Sequence, residues 1–494
     1  MLLLIWSLPA LAVVGLIASG RASAATAAAA GTLLAILVAA LSAPAALSAR
    51  DVGGALARGA WIGWTIVPYI FGGLLFWQAA GRGAGGGDSD GWRRGEPAAA
   101  ADPRARRRLL FTACFIVGPF AESVTGFGVG MVGTLTLVRT LGVAPLDLAA
   151  FSLLSQTFIP WGAMASGTIV GASFARIPPT TLALISGLFV AALLAVWLPL
   201  FWRLAERAGV GAAPRQRVGE AAWMLVAMSL LMAATWLVGP ETALLAGFGP
   251  LIVARFVVER RPDRAALAAA ARHVLPHLLL IGWLLSTRLV GPLSEWLKNT
   301  LRMAPWADAP AWSPLFHAGT WLLVAGCLTL RVRRPADSAV AAWRDAWRAG
   351  KPAILTVVLF SMMAETLSAS GIAAALASRL FEAFGIGTVL ATPWLAGAFG
   401  VLTNSGTPGN SLLMSAQVAL ATQAGLAVPV VAALQHVSGT CLSLFSPVRT
   451  SMACAMAGLP GRERHAYVAM LPFAIAGVLV LSIAAVAIVM LARS

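Results

Sequence analysis

Charge is scarce in this 494-residue chain: 11% of its residues are Asp, Glu, Lys or Arg, against 59% hydrophobic, and Tyr occurs only twice. A soluble domain carries about a quarter of its residues as charges, so that class is excluded; the mean hydropathy of +0.84 agrees. Acidic residues are the scarcer kind, 19 against 35 Lys and Arg. The basic residues fall in runs between apolar segments, at Arg93-Arg94, 104–108, 203–217, 255–272 and 331–348. That is the positive-inside pattern of a membrane protein. No aromatic-interleaved basic face accompanies it, so nucleic acid is not an expected partner. The four cysteines, Cys114, Cys327, Cys441 and Cys454, lie in apolar segments without metal-ligand spacing, which argues against a disulfide framework or a metal centre. Neither a P-loop nor a nucleophile elbow is present, so no cofactor and no enzymatic activity are expected, and any energy the protein uses comes from an ion gradient or from a separate partner.

What is present is a series of long apolar runs, near 2–19, 26–48, 57–80, 109–141, 146–172, 179–203, 218–238, 240–258, 273–289, 312–330, 352–384, 388–424, 428–446 and 467–491. Crossing about 30 Å of hydrocarbon takes roughly 20 helical residues, and β-barrel strands would be shorter and alternating. The expected fold is an all-α polytopic membrane protein of about 12–14 transmembrane or re-entrant segments. The small-residue stretch Ala22-Ser23-Ala24 follows the first run without a basic segment before it, which favours an uncleaved first helix. Residues 81–107 read as a flexible linker, and 292–311, with Trp296 and Trp306, as an interfacial loop.

Within these runs a short acidic motif occurs twice, Ala121-Glu122-Ser123-Val124-Thr125-Gly126-Phe127-Gly128 and Ala364-Glu365-Thr366-Leu367-Ser368-Ala369-Ser370-Gly371, with 243 residues between the glutamates. The same offset carries most of the other runs onto one another. This predicts two pseudo-repeated halves, 1–239 and 240–494, with discontinuous helices. If each motif segment is a re-entrant hairpin, the Arg-rich loops share one side and the halves are parallel; if each crosses once, the halves are inverted. Both topologies stay open.

A carboxylate at lipid depth is costly unless paired, hydrated or protonated, which makes Glu122 and Glu365 candidate proton-coupling groups. The alternative is a structural Glu tied to a broken helix end. Ser123, Thr125, Gly126 and Gly128 beside Glu122 permit an exposed helix N-terminus, an anion-binding device. A second polar break, Thr403-Asn404-Ser405-Gly406-Thr407-Pro408-Gly409-Asn410-Ser411, contributes Asn404, Ser405, Thr407 and Asn410, with Gln417 nearby. Arg449 and Arg288 are the candidate cations for a carboxylate, and Arg139 and Arg379 read as interfacial. His273 and His277 lack any companion acidic triad, and His436 is a candidate proton relay.

At these residues the chain resembles the lactate permease family of bacterial carriers. Gly118 to Gly128 is similar to the family's Phe-Gly-x-x-x-Glu-Gly-x-x-Gly-Phe-Gly region. Ser446-Pro447, Ala453-Cys454-Ala455 and Gly458 to Glu463 are similar to its C-terminal ending, and Thr403 to Asn410 with Gln417 to its Ser-Asn…Asn…Gln stretch. Ser123 stands where the family has Gly, and Arg449 where its pattern is uncharged. The resemblance implies a multi-pass inner-membrane carrier that takes up a lactate- or glycolate-like 2-hydroxymonocarboxylate with protons. A sodium-coupled carrier or an exporter of another organic anion would use the same architecture, and a membrane-embedded enzyme is a more distant reading. Oligomeric state is not readable.

Overall fold

The structure, a computed structural model, describes residues 2–44, 47–82, 102–126, 128–260, 262–307, 309–333 and 339–491. Most of the expected linker, 83–101, lies outside the described residues. Among those described, the chain is helical apart from an isolated bridge between Met303 and Trp312. Nine helices among the described residues are long and apolar enough to cross a membrane, or up to eleven if each of two bent pairs is one span. This is an all-α polytopic membrane protein.

The chain opens with α1 (Leu2–Ala18), α2 (Ala24–Ser42), α3 (Ala49–Trp64) and α4 (Val67–Arg82). A first interrupted region comes next: α5 (Pro103–Thr112), α6 (Gly118–Thr125), α7 (Val129–Arg139), α8 (Pro145–Leu154) and α9 (Gly162–Ala175). Long helices α10 (Pro179–Arg207), α11 (Pro214–Val238), α12 (Pro240–Arg260) and α13 (Arg264–Leu289) succeed it, then α14 (Gly291–Asn299), α15 (Ala318–Arg333) and α16 (Ala339–Ala369). A second interrupted region closes the chain: α17 (Ile372–Phe384), α18 (Thr392–Thr403), α19 (Gly406–Gln423), α20 (Val428–Leu442), α21 (Pro447–Met456) and α22 (Glu463–Leu491). Proline opens α5, α8, α10, α11, α12 and α21, where its missing N–H costs nothing and its fixed φ suits the first turn.

Side-chain contacts fix which ends lie together. Arg106 Nη2 donates to Leu141 O at 2.7 Å, so the two ends of 103–141 are adjacent and α5–α7 form a re-entrant hairpin. Arg107 clasps Glu220 at the start of α11, and Arg139 reaches Met456 O at the end of α21. Arg207 and Arg464 line one cavity with Asp147. Arg255, near the end of α12, lies over the rings of Phe111 and Trp223. The Arg-rich stretches thus collect at one end of the molecule, as the charge pattern requires. The start of α1 and the end of α22 lie toward the other end, with Trp6 of α1 donating to Ser42 O.

The second motif segment behaves differently. It belongs to α16, which runs unbroken for 31 residues past Glu365. Gly59 and Gly63 of α3 let α16 approach until its backbone touches theirs, an antiparallel contact of small residues common in membranes. The second hairpin is instead α18–α19, closed near its base by Thr392 Oγ1 donating to Gln417 Oε1. Two sets therefore share one order: a crossing (49–80 or α16), a hairpin (α5–α7 or α18–α19), an interrupted crossing (α8–α9 or α20–α21) and a 29-residue crossing (α10 or α22). They run in opposite directions. Pro179 and Glu463, which open the two 29-residue helices, are 284 residues apart rather than 243. Phe158-Ile159-Pro160 and Phe445-Ser446-Pro447 mark the equivalent interruptions.

Two loop expectations change. Residues 339–348 are the first turns of α16, not loop, because Ala-rich sequence carries the helix across the basic patch. Residues 291–299 form α14, bent 89° from α13. Only the stretch between α14 and α15 is irregular, held by Trp61 Nε1 donating to Pro310 O at 2.8 Å and by the Trp61–Trp306 and Trp64–Trp312 ring pairs.

Candidate functional site

The first hairpin turns at Gly126 and Gly128, whose φ of +68° and +83° are left-handed, a region glycine enters without penalty. The turn releases the first N–H groups of α7. Glu122 takes them: Oε1 accepts from Gly128 N–H at 3.1 Å and Oε2 from Gly130 N–H at 3.0 Å. A carboxylate 5% exposed is thus held on the positive end of a helix. Ser123 Oγ donates to Phe120 O at 2.6 Å, so its proton is spent on its own helix. The side chain of Thr125, and Phe127, lie outside the described residues.

The interruption between α8 and α9 faces this tip. Ala163, Met164 and Ala165 have φ of 45–55°, three left-handed non-glycine residues in a row. Such conformations persist only where the surroundings enforce them. Gly126 supplies part of that enclosure, since a Cβ there would lie 2.8 Å from the Ala163 Cβ.

The second hairpin turns at Asn404, φ +59°, and Ser405 caps α19 by accepting from Thr407 N–H at 3.3 Å. Ser446 then joins this tip to the second interruption. Its Oγ donates to Asn404 Oδ1 at 2.5 Å and accepts from Arg449 N–H at 3.2 Å, capping α21. Arg449 is 7% exposed; its Nη2 lies 3.5 Å from Asn404 O, its Nη1 has no partner among the described residues, and it senses the Glu122 carboxylate electrostatically. Met452, one turn further along α21, packs on Gly128. Thr407 and Asn410 of α19 meet Gly167 of α9, where Asn410 Nδ2 donates to Gly167 O at 3.0 Å.

The two tips and two interruptions therefore converge. They gather Glu122, Ser123, Gly126, Gly128, Asn404, Ser405, Thr407, Asn410 and Arg449. Three candidates fall elsewhere. Glu365 pairs with Arg58 Nε at 3.0 Å across α3 and α16. Gln417 sits near the base of its hairpin, about 16 Å along α19 from Gly406 at 1.5 Å per residue. Arg288 pairs with Glu241 at 3.3 Å and covers the Phe316 ring, away from the tips. Exposed Arg379 pairs with Glu382, and His277 packs edge-on against Phe76. The side chain of His273 lies outside the described residues.

Sequence reading missed the Glu365 partner, Arg58, and the buried Arg107–Glu220 pair, bidentate at 2.6 and 2.7 Å with Trp202 Nε1 as a third donor. Only the position of Glu220 inside an apolar run hinted at the latter. A donor-rich centre at mid-molecule, walled by small residues and approached by hairpins from opposite ends, is the architecture of a membrane transporter. Residues 307–492, somewhat over a third of the chain, match the family model described as L-lactate permease. No curated protein matches the chain.

Proposed function

We propose that the chain is a secondary carrier that takes up a small organic anion, a 2-hydroxymonocarboxylate such as lactate or glycolate, together with a proton. The observation that supports this most directly is the bidentate seat of Glu122 on the N-terminus of α7, within the field of Arg449. Empty, the site holds one buried negative and one buried positive charge. An incoming monoanion makes it net negative, which a low-dielectric path opposes. Protonation of Glu122 restores neutrality and loosens its hold on the Gly128 and Gly130 N–H groups. Those donors and Arg449 then suit a substrate carboxylate, because guanidinium and helix N-termini both favour planar anions. Proton and anion thus load together, and the empty and loaded sites carry the same charge.

The two oppositely directed sets, within 1–239 and 240–494, act as the moving halves of alternating access. The Arg-rich end faces the cytoplasm of a cell's inner membrane. The test is uptake of labelled lactate and glycolate into proteoliposomes under an inward proton gradient, with and without a protonophore. Accumulation that the protonophore abolishes is expected. Uptake that tracks sodium instead, or no uptake by folded protein, would overturn proton symport of these anions.

A further inference from the structure

His436 is fully buried at the contact of α9, α19 and α20, and its hydrogen-bond partners determine its tautomer. Pro160 O lacks its usual helical donor because Ala163–Ala165 are left-handed, and Thr168 Oγ1 donates to it instead. A hydroxyl has one proton. The 2.9 Å contact between Thr168 Oγ1 and His436 Nε2 therefore requires Nε2 to be the donor. A neutral ring protonated on Nε2 has a bare Nδ1, which accepts from Asn410 Nδ2 at 2.7 Å. The second amide hydrogen of Asn410 goes to Gly167 O at 3.0 Å. Turning the amide round would set its oxygen against both the Gly167 carbonyl and the Nδ1 lone pair. Every member of this chain is thereby fixed in direction, from the Pro160 carbonyl through Thr168 and His436 to Asn410.

We infer that His436 is a positioning residue, a neutral imidazole protonated on Nε2 that joins the first interrupted helix to the second hairpin and takes no part in carrying the transported proton. An imidazolium would put an N–H on Nδ1 against the Asn410 amide and lose that acceptor. Asn410 is likewise unable to donate to substrate, since both its hydrogens are spent. Only its Oδ1, buried and without a partner among the described residues, is left to receive a hydrogen bond.

Full-length protein carrying ¹⁵N-histidine in liposomes tests this directly. The chain has five histidines, and subtracting the spectrum of His436→Gln isolates one. At neutral pH we expect a proton on Nε2 and a bare, hydrogen-bonded Nδ1; Asn410→Asp, which replaces a donor with an acceptor, should move the proton to Nδ1. A ring protonated on Nδ1, or on both nitrogens, in the unchanged protein overturns the inference. If His436→Gln does not fold, Thr168→Val identifies the resonance by shifting the Nε2 signal alone. A second arm rests on the carrier reading. His436→Gln should raise the half-saturation concentration for labelled lactate roughly tenfold, through one lost hydrogen bond, and leave proton-driven accumulation intact. Unchanged affinity, or lost accumulation with retained exchange, overturns the positioning role. The spectrum does not depend on transport, so failure of the carrier reading and failure of this inference are distinguishable.

Discussion

Replacing Glu122 by Gln removes one charge and one of two hydrogen bonds from the tip of the first hairpin. The amide oxygen can still accept from either Gly128 or Gly130, but the NH₂ then faces the remaining N–H. Losing a hydrogen bond to a charged group costs about 1.5–3 kcal/mol, and losing the favourable helix-end charge costs about 0.3–1 kcal/mol more. A folded protein with roughly 5–15 kcal/mol in hand withstands that. The variant is, in effect, locked in the protonated form. One pH unit is worth about 1.36 kcal/mol, so a carrier moving one proton per monoanion can concentrate substrate up to about tenfold per unit of gradient. Proteoliposomes with the unchanged protein should approach that ratio. Those with Glu122→Gln should level off at a ratio of about one while still exchanging internal for external substrate. Accumulation by the variant beyond equality, driven by the pH gradient, would refute the role given to Glu122.

Arg449→Gln should weaken substrate binding at least tenfold with little loss of thermal stability, because Nη1 has no partner among the described residues and Nη2 makes only a long 3.5 Å contact; equal affinity in a binding titration would count against it. Glu220→Gln leaves the Arg107 guanidinium, 1% exposed, without its counter-charge, which should cost about 3–5 kcal/mol in unfolding measurements; Arg107→Met with Glu220→Leu should recover most of it. Gly126→Ala forces a left-handed alanine whose Cβ lies 2.8 Å from that of Ala163, so transport should be lost in protein that still inserts. Glu365→Gln should lower the melting temperature while keeping proton-driven accumulation, since its carboxylate is paired with Arg58; uncoupled transport in this variant would show that the pair takes part in coupling.

How much of this was legible in the sequence depends on how local the cause is. Two helix interruptions were, because Gly126 and Gly128 and the polar run 403–411 act on their own backbone. That the Arg-rich stretches share one end was one of two arrangements the charge pattern left open, and the sequence tied it to parallel halves rather than the oppositely directed sets observed. The two acidic motifs misled. Ala121-Glu122 and Ala364-Glu365 read alike, yet one carboxylate is placed by a turn six residues away and the other by Arg58, more than 300 residues distant. Spacing of letters cannot anticipate the second. The oppositely directed sets were obscured for a related reason: their shared signal is confined to a few residues at each interruption, while the intervening lipid-facing positions accept any apolar side chain. The His436 network combines residues from three helices, and only Asn410 and His436 stood out beforehand.

The tip of the first hairpin also constrains how the protein can be made. Gly126 and Gly128 lie between two helix ends, and irregular backbone is not tolerated against lipid. Its covers are Ala163, close behind it in the chain, and Met452, which emerges from the ribosome more than 300 residues later. At about 5–20 residues per second, that interval lasts roughly 15–60 seconds. During it the nascent hairpin needs shelter from the insertion machinery or must wait at the membrane surface. A chain that stops before α21 leaves the turn uncovered, making truncated products marks for proteolysis rather than partially active carriers.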